Sequence, residues 1–281
     1  MIIDFRFRPN TIDVLENFYR VFEKAINAMG MSKAEYLAQA QTIEEIVDGL
    51  QRNHVVKAVI VGRDIETTFS IPNNNDEVRA FCEQYPNLFC GFVGADPHKE
   101  KHTIKDITHR IKNEGFSGVA IDPLHARIQA DDEKYYPIYS ECCNLNVPII
   151  ITGGPARFTK NTLLRNCHPE QIDRIANNFP ALKIVISHGA WPFVNEMIGV
   201  SYRHTNVYME LSEYELFPQS NSYLEAANTI LKERILFASA HPGVNYKKAI
   251  ALYEKLPLHD DVRENIMWKN AKSFLEKVTI V

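Results

Sequence analysis

The chain has no excess of positive charge, no long apolar run and no cysteine spacing that builds a site. Lys and Arg number 31 against 35 Asp and Glu, a formal net charge of −4 over 281 residues. Bulk nucleic-acid affinity needs a basic surface to displace counterions, so no nucleic-acid partner is expected. No apolar stretch approaches the roughly 20 residues that span a bilayer. The N-terminus, Met1-Ile-Ile-Asp-Phe-Arg6, goes straight into a strand-like segment without signal-peptide architecture. A cytoplasmic protein with no membrane contact is therefore expected. The five cysteines (Cys82, Cys90, Cys142, Cys143, Cys167) are odd in number and lack C-x-x-C spacing, which argues against a disulfide framework or a structural zinc site. No G-x-S-x-G elbow, Walker loop or dinucleotide fingerprint occurs.

What is present is alternation. Short apolar, β-branched runs recur at Ile2–Phe7, Val55–Val61, Leu88–Val93, Gly118–Ile121, Pro148–Thr152, Leu182–Ser187, Asn206–Leu211 and Ile235–Ser239. Ile149-Ile-Ile151 and Ile184-Val-Ile186 are uninterrupted hydrophobics, as in parallel strands buried on both faces. Helical patterns lie between them. Thr42-Ile-Glu-Glu45 has capping-box spacing ahead of a face of Ile43, Ile46, Val47 and Leu50. The Asn73–Asn75 run reads as a loop and N-cap. His168-Pro169 opens a helix carrying Ile172, Ile175 and Phe179, and Asp131–Asn146 and Tyr223–Lys232 complete the set. Eight such repeats match a single (β/α)₈ TIM barrel over residues 1–281 better than an open sheet, although a seven-strand barrel has much the same pattern. The first connection, Arg8 to Val55, is unusually long. It holds a helical pattern (Val14, Leu15, Phe18, Phe22, Ile26), a second capping-box spacing at Ser32 and Glu35, and the capped helix. It reads either as a lid or as packing on the barrel exterior.

Chemistry in such barrels sits at the carboxyl ends of the strands. Those ends carry Arg6 and Arg8, then Asp122, Thr152, His188, Glu210 with Ser212, and Ala240 with His241. Arg6 and Arg8 alternate with Phe5 and Phe7, so simple strand periodicity sends both guanidiniums into one end of the barrel. Two buried like charges require an anion. Internal carboxylates (Asp4, Asp122, Glu210) or a substrate carboxylate or phosphate meet that need. His125, in Pro123-Leu-His-Ala-Arg127, stands on the strand-four loop within reach of a substrate. Gly153-Gly154-Pro155 either offers backbone N–H groups to an anion or is a tight turn.

Several segments resemble one family. Ile3-Asp4-Phe-Arg6-Phe-Arg8-Pro9 is similar to the opening of the amidohydrolase-related proteins, where Ile-Asp precedes His-x-His. Pro148-Ile-Ile-Ile-Thr152 resembles their strand-five motif, and Val185-Ile-Ser-His188-Gly-Ala-Trp-Pro192 their strand-six motif. Asn206–Ser212 and Ile235–Pro242 are similar to strands seven and eight. The resemblance spans the chain and implies the barrel fold. In the aminocarboxymuconate-semialdehyde decarboxylase branch it also implies a divalent metal on two opening His, a strand-five His and a strand-eight Asp. Those positions here are Arg6, Arg8, Thr152 and Ala240. A guanidinium has no lone pair and alanine no donor atom, so no metal cofactor is expected. The branch's general acid/base position is kept as His188, an imidazole suited to proton transfer.

The expectation is a hydrolase or carboxy-lyase acting without the family's metal on a small carboxylate-bearing molecule, such as a lactone or an unsaturated or aromatic acid. His188 is its acid/base. Arg6, Arg8, Thr152, Asp122, Glu210 and His241 are its substrate-binding residues. Two alternatives stand beside it: an inactive barrel that binds a small anion, and a re-built metal site using His188 and His241. A homodimer is the partner the resemblance allows.

Overall fold

In the computed structural model, which describes residues 1–155, 159 and 161–276, eight parallel strands pair in chain order. They are β1 (Ile2–Phe7), β2 (Val55–Val61), β3 (Phe89–Gly94), β4 (Gly118–Ile121), β5 (Ile149–Ile151), β6 (Ile184–Ile186), β7 (Val207–Glu210) and β8 (Ile235–Leu236). Backbone bonds close the seam. Phe5 N–H donates to the Phe237 carbonyl at 2.9 Å, and Arg8 N–H to that of His241 at 3.0 Å. The result is a (β/α)₈ barrel. Residues 277–281 of the expected 1–281 domain lie outside the described residues.

Three helices fill the first connection: α1 (Ile12–Ala28), α2 (Lys33–Leu37) and α3 (Ile43–Arg52). After β2 come α4 (Glu66–Phe69) and α5 (Asn75–Gln84), then α6 (Lys101–Asn113) after β3. The β4 connection holds α7 (Pro123–Ala126) and α8 (Tyr136–Asn144). Next follow α9 (Pro169–Asn178), α10 (Val194–Arg203) and α11 (Asn221–Asn228). The chain closes with α12 (Tyr246–Tyr253), α13 (Asp260–Glu264) and α14 (Asn270–Glu276). Both expected capping boxes form, on Ser32 and Thr42. The asparagine run is the expected loop and N-cap: Asn74 is the cap position of α5, Asn73 Oδ1 accepts from the Asn75 N–H at 3.2 Å, and Asn74 Oδ1 turns instead to Arg63 N–H at 2.7 Å.

Two apolar layers explain the uninterrupted runs. The lumen holds Ile3, Phe5, Val61, Phe92, Ile150 and Val185, and Phe274 of α14 closes its amino-terminal end, 5.4 Å from Phe5 ring to ring. The other faces of the strands, with Ile60, Val119, Ile149 and Ile184, pack against the surrounding helices. Strand β1 breaks its own alternation. Its register against β2 shifts between Asp4 and Phe7, so Phe5 lies in the lumen and Phe7 in the outer layer.

The long first connection divides its labour. Helix α3 gives Ile46, Val47 and Leu50 to the outer layer. Helix α1 instead lies over the carboxyl ends of the strands, with Phe18 and Phe22 on the guanidiniums described next. No described helix is long and apolar enough to cross a membrane.

Candidate active site at the barrel mouth

Three guanidiniums gather where β1 and β2 end. Arg6 and Arg8 are 3% and 5% exposed. Arg6 Nη1 donates to Ser187 Oγ at 2.8 Å, just beyond β6. Arg8 and Arg63 line a cavity of about 10 Å³ with Asp122 and Thr152, room for about one water-sized sphere. Phe18 covers both, with Arg8 Cζ 5.9 Å and Arg63 Cζ 5.5 Å from the ring centre. Simple alternation along β1 is therefore not what brings Arg6 and Arg8 to one end, because the register shifts between Asp4 and Phe7.

The internal carboxylates are spent elsewhere. Asp4 accepts from Ser239 N–H at 2.9 Å, from Ser239 Oγ at 2.5 Å and from Arg6 N–H at 3.1 Å. Glu210 accepts from His188 N–H at 3.2 Å and Ser212 N–H at 2.8 Å. Asp122 accepts from His125, whose Nδ1 lies 2.7 Å away and whose N–H lies 3.2 Å away. Among the described residues no carboxylate forms an ion pair with Arg6, Arg8 or Arg63. The charges register this. Burial, with Arg63 and Arg6 beside it, pushes Arg8 below the ordinary guanidinium value. Burial also lowers Arg63 to about 10, with Arg6 adding to the effect while Asp122 and Glu213 oppose it. Burial alone would raise Asp122, but the adjacent His125 and Arg63 hold it below the usual carboxylate range.

Arg63 and Glu213 escaped the sequence reading. Arg63 follows Gly62 at the end of β2, a position that qualifies it as a site residue on its own. Glu213 follows Ser212 in the turn after β7. Its Oε1 would lie 2.5 Å from a Cβ at Gly243, so this turn sits against the one after β8 and leaves no room there for a side chain.

His188 occupies the turn after β6 with φ +59°, a left-handed conformation. Its Nδ1 lies 2.8 Å from the Ser212 carbonyl, which only accepts, so Nδ1 carries the hydrogen. Nε2 has no protein partner among the described residues and is the free edge of the ring. Tyr214 meets that ring edge to face at 5.4 Å. The glycine loop after β5 lies beneath. A Cβ on Gly153 would come 2.8 Å from the Ser187 carbonyl, and Gly154, at φ +86°, would bring one 3.3 Å from His188 Cβ. These glycines let the loop approach the end of β6.

The remaining expected site residues are placed as follows. Thr152 lines the arginine cavity, and its carbonyl accepts from Cys167 Sγ at 3.0 Å. Glu210 holds the backbone of His188 and Ser212 from below. His241 is 4% exposed, stacks on Phe7 at 4.9 Å and bonds Asn10 Oδ1 through Nε2 at 3.0 Å. It is thus engaged with the outer layer and is not brought to the arginine cavity.

The amidohydrolase family model matches residues 18–277. The chain belongs to the amidohydrolase family. Solved structures agree on the fold. An uncharacterised TIM-barrel protein of Bordetella bronchiseptica is 27% identical over 99% of both chains, with a TM-score of 0.79. A dihydroxybenzoic acid decarboxylase of Polaromonas sp. JS666, solved with manganese and 2-nitroresorcinol, is 16% identical over 98% of this chain and 96% of its own, TM-score 0.67. A 5-carboxyvanillate decarboxylase of Novosphingobium aromaticivorans, solved with manganese, is 14% identical over 98% and 96%, TM-score 0.70. A search of curated proteins found no match.

The expectation that no metal cofactor takes part is corrected by these amidohydrolase relatives. Two of them are solved with bound manganese, so a divalent metal is in use within the fold. In this chain the positions that the sequence resemblance implied for metal ligands hold Arg6, Arg8, Thr152 and Ala240. Among the described residues no group of three or more His, Cys, Asp or Glu is placed to hold an ion. No such group joins His188 and His241, so the re-built site expected from that pair does not form among the described residues. The residues present do not fit the metal.

Proposed function

We propose that this amidohydrolase-family chain is a carboxy-lyase or hydrolase acting on a small carboxylate-bearing molecule. Arg6, Arg8 and Arg63 hold the carboxylate, and His188 transfers the proton. The observation that carries the reading is the set of three crowded guanidiniums with no ion-pair partner among the described residues. Buried like charges without an ion-pair partner are costly, and a bound carboxylate reduces that cost through fork-shaped, charge-assisted bonds. The arrangement of His188 supports its role. With Nδ1–H held by the Ser212 carbonyl, Nε2 is the position that takes up or gives a proton. In a decarboxylation, the C–C bond to the carboxylate breaks, CO₂ leaves, and the electron pair left on carbon takes a proton that Nε2 has first picked up from solvent, the ring returning from imidazolium to its Nδ1–H neutral form. The arginines stabilise the negative charge that develops on the remaining fragment. Decarboxylation is favoured over hydrolysis because the structural relatives named as enzymes act on aromatic carboxylic acids.

The test is turnover on a panel of aromatic and unsaturated acids and lactones, with manganese supplied throughout. His188→Asn keeps a hydrogen-bonding edge but carries no proton near neutral pH. It is expected to lower kcat by about 10²-fold or more with little change in ligand affinity. Tight binding without turnover of any panel member contradicts the enzymatic reading and leaves an anion-binding barrel.

A further inference from the structure

A second imidazole at the mouth is built like His188 but has no assigned task. His125 stands in α7, on the first turn after β4, and is 3% exposed. Asp122 caps that helix and fixes the ring, taking the backbone N–H at 3.2 Å and meeting Nδ1 at 2.7 Å. An ionised carboxylate only accepts, so Nδ1 carries a hydrogen and Nε2 of the neutral ring is a bare lone pair. That Nε2 is buried and has no hydrogen-bond partner among the described residues. Native structures rarely leave such an atom unmatched without a reason.

Two rings close over it. Phe69 of α4 stands 5.4 Å from the imidazole, ring centre to ring centre. Phe22 meets it edge to face at 6.0 Å, and the same Phe22 ring lies 4.9 Å from Arg63 Cζ. Phe22 is also the one residue inside α1 that leaves helical geometry, at φ −115° and ψ 17°. One apolar ring thus bridges a half-buried cation and a buried acceptor at a break in the helix that covers the mouth.

We propose that Phe22 plugs a second binding subsite, formed by His125 Nε2, Arg63 and Phe69, that takes a ring-sized group carrying an O–H or N–H donor. The occupant replaces Phe22 when α1 moves at its break. Its ring lies on the Arg63 guanidinium and against Phe69, and its donor satisfies Nε2 of His125. Asp122 is the positioning residue, since it keeps the hydrogen on Nδ1. In the reading above, this group belongs to the molecule whose carboxylate the arginines hold, and the subsite rests on that reading only for the identity of its natural occupant.

The test uses two neutral probes of equal shape, phenol and benzene, bound to Phe22→Ala protein and measured by calorimetry. Any cavity left by phenylalanine takes benzene, so the readout is the preference between the two. Phenol is expected to bind roughly tenfold more tightly than benzene, the worth of one net hydrogen bond. The preference should vanish in Phe22→Ala/His125→Phe and survive in Phe22→Ala/Arg8→Met, which separates the subsite from the carboxylate clamp. Equal binding of the two probes, or a preference that outlives His125, overturns the proposal. Should Phe22→Ala not fold, ¹⁵N-histidine NMR of the wild-type chain decides. An unprotonated Nε2 on His125 that shifts on adding phenol supports the subsite. A protonated Nε2, or one that does not respond, overturns it.

Discussion

Arg6 donates from Nη1 to the hydroxyl of Ser187 at 2.8 Å, joining the end of β1 to the end of β6. The next residue is His188, so the proposed clamp and the proposed proton carrier share one scaffold. Glu210 of β7 holds the same turn through the backbone N–H of His188. Three strands therefore meet at the turn that relates this guanidinium to the imidazole.

Ser187→Ala should expose that coupling. The substitution leaves a buried guanidinium N–H without its acceptor, which costs about 1–3 kcal/mol. A lowered thermal midpoint is expected, together with weaker stabilisation by carboxylates. An unchanged response to carboxylates would show that Arg6 needs no tether.

Alkaline stability should depend on Glu215. It is buried, and burial first, with Glu210 and Glu213 adding, raises its pKa from 4.5 to about 8. The folded state holds this proton more firmly than the unfolded chain does. Its contribution is present below about pH 4.5 and is lost as pH rises through about 8. Glu215→Gln should therefore narrow the gap in unfolding free energy between pH 6 and pH 9. Asp4, raised by burial to about 7, leaves a remaining loss at lower pH. Denaturant titrations of both proteins across that range check the sign.

Acid stability should depend on His241. Burial lowers its pKa from 6.5 to about 4. The unfolded chain takes up this proton first, so stability is lost as pH falls from 6.5 toward 4. His241→Phe keeps a ring to stack on Phe7 and removes the titrating group. Its unfolding free energy should fall less between pH 7 and pH 4 than that of the wild type, and an equal fall would contradict the assignment.

These positions also show what the sequence made legible. All eight strands lie where apolar runs marked them, because strands buried on both faces leave no polar interruption. The capping boxes on Ser32 and Thr42 were equally plain, since each is a local pattern of four residues. The two sides of Phe5 and Phe7 were not, because a shift in register is set by the partner strand and leaves no mark on β1 itself. Nor was the fate of Asp4 and Glu210, whose oxygens turn to backbone N–H groups that only the folded turns present. The sequence placed Arg63 at a strand end but gave no sign that Asn74 would hold its backbone from eleven residues away. The question of lid or exterior packing resolves by helix, α1 covering the mouth and α3 the outer wall.

The arginine clamp is tested by the thermal midpoint as a function of benzoate concentration at constant ionic strength. A ligand that binds only the folded state raises stability by RT ln(1 + [L]/Kd). The wild-type chain should show a saturable rise, Arg8→Met should abolish it with the fold intact, and an equal concentration of benzyl alcohol, which lacks the carboxylate, should give much less. A midpoint that benzoate leaves unmoved, or that moves equally in Arg8→Met, would contradict the arginine clamp.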